Sequence, residues 1–161
     1  MFEKLIEEQV VELLKQNNFT ITFAESCTGG LLCGRLVNVS GASEVLKSSI
    51  VTYAEESKMK FLGVSQETLD MYGVVSKETA EEMARGAVIW AGADVALSVT
   101  GIAGPGGGSP EKPVGLVYIG CNVCGTIIVE RYVFEGERHK VREQSVTAAL
   151  ELAKKCLKSI A

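Results

Sequence analysis

Residues 19–32 read Phe19-Thr20-Ile21-Thr22-Phe23-Ala24-Glu25-Ser26-Cys27-Thr28-Gly29-Gly30-Leu31-Leu32. The first five alternate apolar and polar, the strand period, and from Leu31 the apolar residues recur through Leu36 and Val37 at helical spacing. The stretch therefore predicts a strand over Phe19 to Phe23 that passes into a helix. At such a junction a side-chain hydroxyl stands at the carboxyl end of the strand, beside the free N–H groups of a first helical turn. Ser26 is thereby a candidate nucleophile. Thr28, Gly29 and Gly30 are a candidate oxyanion pocket, because glycine lets the backbone come close to a ligand. A plainer role suits the same residues, with Ser26 or Thr28 as an N-cap and the glycines as a tight turn.

Working outward, Leu5 or Ile6, Val10, Leu13 and Leu14 share one face of a helix that ends near Asn17-Asn18. After the junction the second helix stops before Ser40-Gly41, a short turn spans Ala42 to Leu46, and Ser48 to Ala54 reads as a strand. Glu55 to Leu62 reads as a helix closed by Gly63. A helix beginning near Ala54 puts Lys58 about one turn from Tyr53, so the two side chains can converge; equally, Tyr53 can fill the core and Lys58 can be a solvated surface lysine. Ser65 caps a short helix ending at Tyr72-Gly73, and Ser76 caps a longer one reaching about Trp90. Ala80, Met83, Ala84, Ala87, Val88 and Ala91 give the longer helix a face of mostly small residues for close packing.

Val95 to Thr100 is almost continuously apolar, as a strand covered on both faces should be. The following stretch, Gly101 to Gly115, gathers all three prolines of the chain. Its tip, Gly106 to Ser109, suits a flexible loop. Its start, Thr100-Gly101-Ile102-Ala103-Gly104-Pro105, follows a central strand's carboxyl end, where open α/β sheets bind ligands, and its N–H groups can receive an anion. Gly115 to Val123 and Thr126 to Phe134 form an antiparallel hairpin around Cys124-Gly125, and a last helix carries Val141, Ser145, Ala148, Leu152 and Cys156 on one side. Arg138, Lys140 and Arg142 gather at its start, against the helix dipole, so either solvent screens them or they face an anion. His139, the only histidine, has no acid placed to orient it and reads as a surface residue.

A chain of 161 residues that is 47% hydrophobic suits one compact domain with a sizeable core. Its net charge of −4 argues against a general nucleic-acid binder. No apolar run approaches the roughly 20 residues of a membrane span, and the start, Met1-Phe2-Glu3-Lys4-Leu5, lacks signal-peptide form, so a cytoplasmic protein without membrane contact is expected. Five scattered cysteines suit free thiols in a reducing compartment. Cys121 and Cys124 form a C-x-x-C, but it closes an apolar run instead of opening a helix, and no second pair completes a zinc site. No metal and no cofactor is expected.

Several separated motifs occur in order: Ala24-Glu25-Ser26-Cys27-Thr28-Gly29-Gly30, Val51-Thr52-Tyr53 followed by Lys58, Gly73-Val74-Val75-Ser76, Thr100-Gly101-Ile102-Ala103-Gly104-Pro105-Gly106-Gly107, and Lys112-Pro113-Val114-Gly115. Together they resemble the CinA C-terminal domain family over about Leu5 to Leu157, in a form without the N-terminal domain to which many members are fused. The resemblance implies a three-layer α/β/α fold, with a mixed, mostly parallel sheet of about five strands that includes the C-terminal hairpin. It implies hydrolysis of the carboxamide of nicotinamide mononucleotide, with Ser26, Lys58 and Tyr53 matching the amidase serine, lysine and tyrosine, and a homodimer. Any activity residing in the other domain should be absent.

Amide hydrolysis needs an activated nucleophile, a held oxyanion and a proton for the leaving amine. A lysine can be the base if burial brings its pKa from about 10.4 towards roughly 7–8. The expected arrangement has neutral Lys58 taking the Ser26 proton, Tyr53 hydrogen-bonded between or beside them, and N–H groups around Thr28 to Gly30 on the oxyanion. The substrate phosphate is expected on the Thr100, Gly101, Ala103 and Gly104 backbone, with Ser76 or Arg142. Two alternatives stand beside this: a nucleotide-binding or partner-docking module of the same fold without turnover, and an amidase for another pyridine or amide substrate.

Overall fold

The structure is a computed structural model that describes residues 2–160. Helix α1 (Ile6–Asn17) leads into β1 (Ile21–Glu25), α2 (Leu31–Leu36), a single 3₁₀ turn (Ala42–Glu44) and β2 (Leu46–Val51). Then follow α3 (Glu55–Leu62), α4 (Gln66–Tyr72), α5 (Lys77–Ala91), β3 (Val95–Gly101), β4 (Leu116–Val123), β5 (Thr126–Val133) and α6 (Arg138–Ser159). The sheet order is β2-β1-β3-β4-β5. β1 pairs in parallel with both β2 and β3, whereas β4 is antiparallel to β3 and β5, so four strands share one direction. The three-layer α/β/α architecture and the C-terminal hairpin are as the motifs imply.

β1 begins two residues later than its alternation predicts. Asn18 ends α1 in the left-handed conformation at φ 55°, the Phe19 N–H still donates to the Leu14 carbonyl, and the Thr20 N–H and hydroxyl are held by Asp94. The polar positions are enclosed as well: β1 is buried throughout and Thr22 donates its hydroxyl to the Ser48 carbonyl at 2.6 Å. β2 runs from Leu46 to Val51 instead of Ser48 to Ala54. The residues just beyond it, Thr52 and Tyr53, turn their carbonyls towards Lys58.

Alternation along the strands sorts side chains between two cores. Ile21, Phe23, Val95, Leu97, Val99, Val117 and Ile119 join the core that also contains α1 and α6 residues. Ala24 and Ala96 face the opposite core with Leu62, Met83 and Ala87. Small residues on that second face let α5 sit close: a Cβ on Gly120 would lie 2.5 Å from Ser98 Oγ and 3.0 Å from the Ala80 carbonyl. Ser98 and Asn122 add hydrogen bonds from the sheet to the α5 carbonyls of Ala80 and Ala84. α5 meets α3 just as closely, since a Cβ on Gly86 would come within 1.8 Å of the Leu62 carbonyl oxygen.

Candidate active site

The parallel strands β2, β1 and β3 end together. The chain leaves β1 for β2 on one side and later returns to β3 on the other, which makes the β1/β3 boundary a switch point where open sheets leave a crevice. Ser26 stands at this point, its N–H bonded to the Val99 carbonyl at 3.0 Å. Thr52 follows β2, its N–H bonded to the Glu25 carbonyl, and Thr100 lies in β3.

Lys58, in the second turn of α3, is wholly buried and reaches Ser26, with Nζ 3.0 Å from Oγ. The same nitrogen donates to the Thr52 carbonyl at 2.5 Å and to the Tyr53 carbonyl at 3.4 Å. Three acceptors thus surround Nζ: an ammonium donates to all three, whereas a neutral amine that keeps both carbonyl bonds turns its lone pair to the Ser26 hydroxyl. Burial disfavours the ammonium and lowers the Lys58 pKa from 10.5 to about 8, against weaker raising effects of Cys27 and Glu55. Cys27 is not a competing nucleophile, because burial pushes its thiol up to about 11.

Tyr53 is not between Ser26 and Lys58. Its side chain is 61% exposed, and its hydroxyl accepts from Arg138 Nη2 at 3.1 Å. The tyrosine meets Lys58 through its main chain alone, which sequence spacing could not show.

The loop after Ser26 is organised by a residue that motif reading passed over. Glu25, with no exposed surface, accepts from the N–H groups of Gly30 (3.2 Å), Leu32 (2.9 Å) and Cys33 (3.1 Å). This carboxylate, not Ser26 or Thr28, caps α2. The available signal was an acidic residue at the end of β1, upstream of a helix, since anionic groups suit helix N-termini. It also corrects the oxyanion assignment. The Gly30 N–H is held by Glu25 and the Gly29 N–H by the Ser26 carbonyl at 3.1 Å. Among the described residues, the Thr28 N–H has no acceptor, and the Cys27 N–H has none beyond its own sulfur. They are the free donors beside Ser26.

The remaining site candidates divide. Arg142 is beside the loop after Ser26, donating from Nε to the Cys27 carbonyl at 2.9 Å and from Nη2 to the Thr28 carbonyl at 3.1 Å. Ser76 is a buried cap of α5, accepting from the Thr79 N–H at 3.1 Å with its hydroxyl against the Gly73 carbonyl at 3.0 Å. Thr100 donates to the Val74 carbonyl at 2.8 Å, and Gly101 packs where a Cβ would strike Val117 at 2.6 Å. Both hydroxyls are thus engaged by the protein. Beyond them the Ile102 N–H is taken by the Leu116 carbonyl, Ala103 is buried, and Gly104, at φ 83°, presents its carbonyl to Arg138 Nη1 at 2.7 Å. His139 is at the surface, 3.8 Å from Glu137.

Among the described residues no group of three His, Cys, Asp or Glu side chains is placed to hold a metal ion, and no helix is long and apolar enough to cross a membrane.

Residues 3–157 match the family model described as the CinA C-terminal domain. A CinA-like protein of Kosmotoga olearia is 50% identical over 155 residues, which is 96% of this chain and 38% of that protein. The chain thus spans under two-fifths of the length of the curated relatives it matches. Among solved structures, the competence/damage inducible protein CihA from Agrobacterium tumefaciens superposes with a TM-score of 0.90 at 39% identity, covering 98% of both chains. A competence-damaged protein (CinA) superfamily protein from Klebsiella pneumoniae gives 0.92 at 33% identity, covering 96% of both.

Proposed function

Because the chain belongs to the CinA C-terminal domain family, we propose that it is an amidase. It hydrolyses the carboxamide of nicotinamide mononucleotide to nicotinate mononucleotide and ammonia, with Ser26 as nucleophile and Lys58 as base. The observation that carries this reading is the buried Lys58 amine 3.0 Å from the Ser26 hydroxyl, oriented by two carbonyls and unaccompanied by a bound carboxylate.

Neutral Lys58 takes the hydroxyl proton as Ser26 Oγ bonds to the amide carbon, and the carbonyl electron pair moves to oxygen. The Cys27 and Thr28 N–H groups receive that oxyanion, and Arg142 fixes their loop by holding both carbonyls. Lys58 then returns its proton to the amide nitrogen, the C–N bond breaks, and ammonia leaves a serine ester. Water, deprotonated by the same amine, cleaves the ester and restores Ser26. With a Lys58 pKa of about 8, roughly one molecule in ten has the neutral amine at pH 7 and about half at pH 8.

The protein works in the cytoplasm, in keeping with five free cysteines, and assembles as a homodimer, which light scattering of the purified protein tests. The function itself is tested by ammonia release from nicotinamide mononucleotide, with and without a chelator. Wild type should turn over equally in both, and Ser26→Ala should lose at least about 1,000-fold in kcat. Binding of the nucleotide without ammonia release would replace the enzyme with a silent nucleotide-binding module. Release from other amides but not this one would change the substrate.

A further inference from the structure

Tyr53 and Arg138 are unexplained by the chemistry at Ser26, yet they are joined across its approach. Arg138 begins α6, and its guanidinium spans two separate walls: Nη1 donates to the Gly104 carbonyl at 2.7 Å, in the loop after β3, and Nη2 to the Tyr53 hydroxyl at 3.1 Å, after β2. Glu137, its neighbour in sequence, turns towards His139. Arg138 is therefore a cation held in place by neutral oxygens, with its charge uncompensated by any ion pair among the described residues. The Tyr53 hydroxyl accepts that bond, so its own proton is free to donate. A guanidinium and a phenolic O–H side by side, both exposed, offer donors to an anionic oxygen group.

Their distance from the reaction centre is set by the fold. Arg142, one turn further along α6, grips the Cys27 and Thr28 carbonyls next to Ser26, and Arg138 lies about 6 Å along the helix axis from it. From the other side, Tyr53 holds Lys58 Nζ with its carbonyl while its ring reaches out to Arg138. Two independent segments thus place one cationic receptor beyond the nucleophile. A substrate with its amide at Ser26 would meet it with the far end of its own body.

We propose that Arg138 and the Tyr53 hydroxyl receive a phosphate monoester carried by the amide substrate, the guanidinium exchanging its Tyr53 contact for a phosphate oxygen. The inference rests on the amidase reading for the amide end and assigns the tyrosine to the substrate's anionic end. It moves the phosphate away from Ser76 and Thr100, whose hydroxyls are already engaged.

Arg138→Ala and Tyr53→Phe should be compared with wild type on nicotinamide mononucleotide and on nicotinamide riboside, which lacks the phosphate. Arg138→Ala should lower kcat/KM for the mononucleotide about 10- to 100-fold, mainly through KM, with the riboside changed less than about twofold. Arg138→Lys should recover part of the loss, and Tyr53→Phe should lose less than Arg138→Ala on the same substrate alone. Equal losses on both substrates, or none, would overturn the proposal. Calorimetric binding of ribose 5-phosphate needs no turnover and separates the two readings. Binding by wild type that weakens at least about tenfold in Arg138→Ala supports the receptor even if no amide is hydrolysed; equal binding by both proteins, or no binding by wild type, contradicts it whatever the amidase result.

Discussion

Replacing Lys58 by methionine separates the cost of burying the amine from its use. In the folded protein, burial lowers the Lys58 pKa from 10.5 to about 8, so between these values the unfolded chain binds more protons than the folded one. Stability contributed by this group therefore rises with pH across that window. Below about pH 8 both states are protonated and the fold carries the full cost of an enclosed ammonium. The shift is worth about 3 kcal/mol at 1.36 kcal/mol per unit. Methionine fills similar space without a charge, so Lys58→Met should be more stable relative to wild type at pH 7 than at pH 10.5, by about 3 kcal/mol. The hydrogen bonds lost at the Thr52 and Tyr53 carbonyls add an offset that is nearly constant with pH. Urea unfolding of both proteins at several pH values measures the difference, the other titrating groups largely cancelling. A stability difference that stays flat from pH 7 to 10.5 would refute the buried, depressed amine.

Arg142→Ala should lower kcat by about 10-fold or more with little change in KM, because the guanidinium holds the nucleophile loop; a rise in KM alone, which the sequence assignment to the phosphate expects, would return Arg142 to the substrate. Glu25→Gln should cost about 2–3 kcal/mol, read by urea unfolding, and should also reduce kcat, because a buried amide cannot accept all three N–H bonds that the carboxylate accepts. Gly86→Ala should destabilise by more than about 2 kcal/mol, read as a lowered melting temperature, because its methyl group would overlap the Leu62 carbonyl and push α3, with Lys58, away from α5.

Much of this was legible because strand ends and helix starts follow local chemistry. The run Val95 to Thr100 is almost continuously apolar and proved to be a central strand, Val95–Gly101, that is buried on both faces. Ser65 and Ser76 carry the cap signals of α4 and α5 and do cap them. The approach of Ser26 and Lys58, 32 residues apart, followed from comparison of ordered motifs and not from any one stretch. What escaped was the direction of polar groups within those motifs. Tyr53 offers its carbonyl to Lys58 and its hydroxyl to Arg138, a division decided by how the chain leaves β2. Gly29 and Gly30 permit the loop, yet their N–H groups are spent inside it, because Glu25 and the Ser26 carbonyl claim them. Arg142 and Arg138 are one turn apart with the same charge, and only their long-range partners distinguish the one that holds the Cys27–Thr28 loop from the exposed one that joins Gly104 to Tyr53.

The claim on which the mechanism turns is that an uncharged Lys58 activates Ser26, and the pH dependence of kcat/KM for ammonia release from nicotinamide mononucleotide tests it most directly. A tenfold rise per pH unit is expected below a break near pH 8, where the buried amine loses its proton, and Lys58→Met should lose that rise. A folded Lys58→Met protein that retains wild-type turnover and the same profile would contradict it.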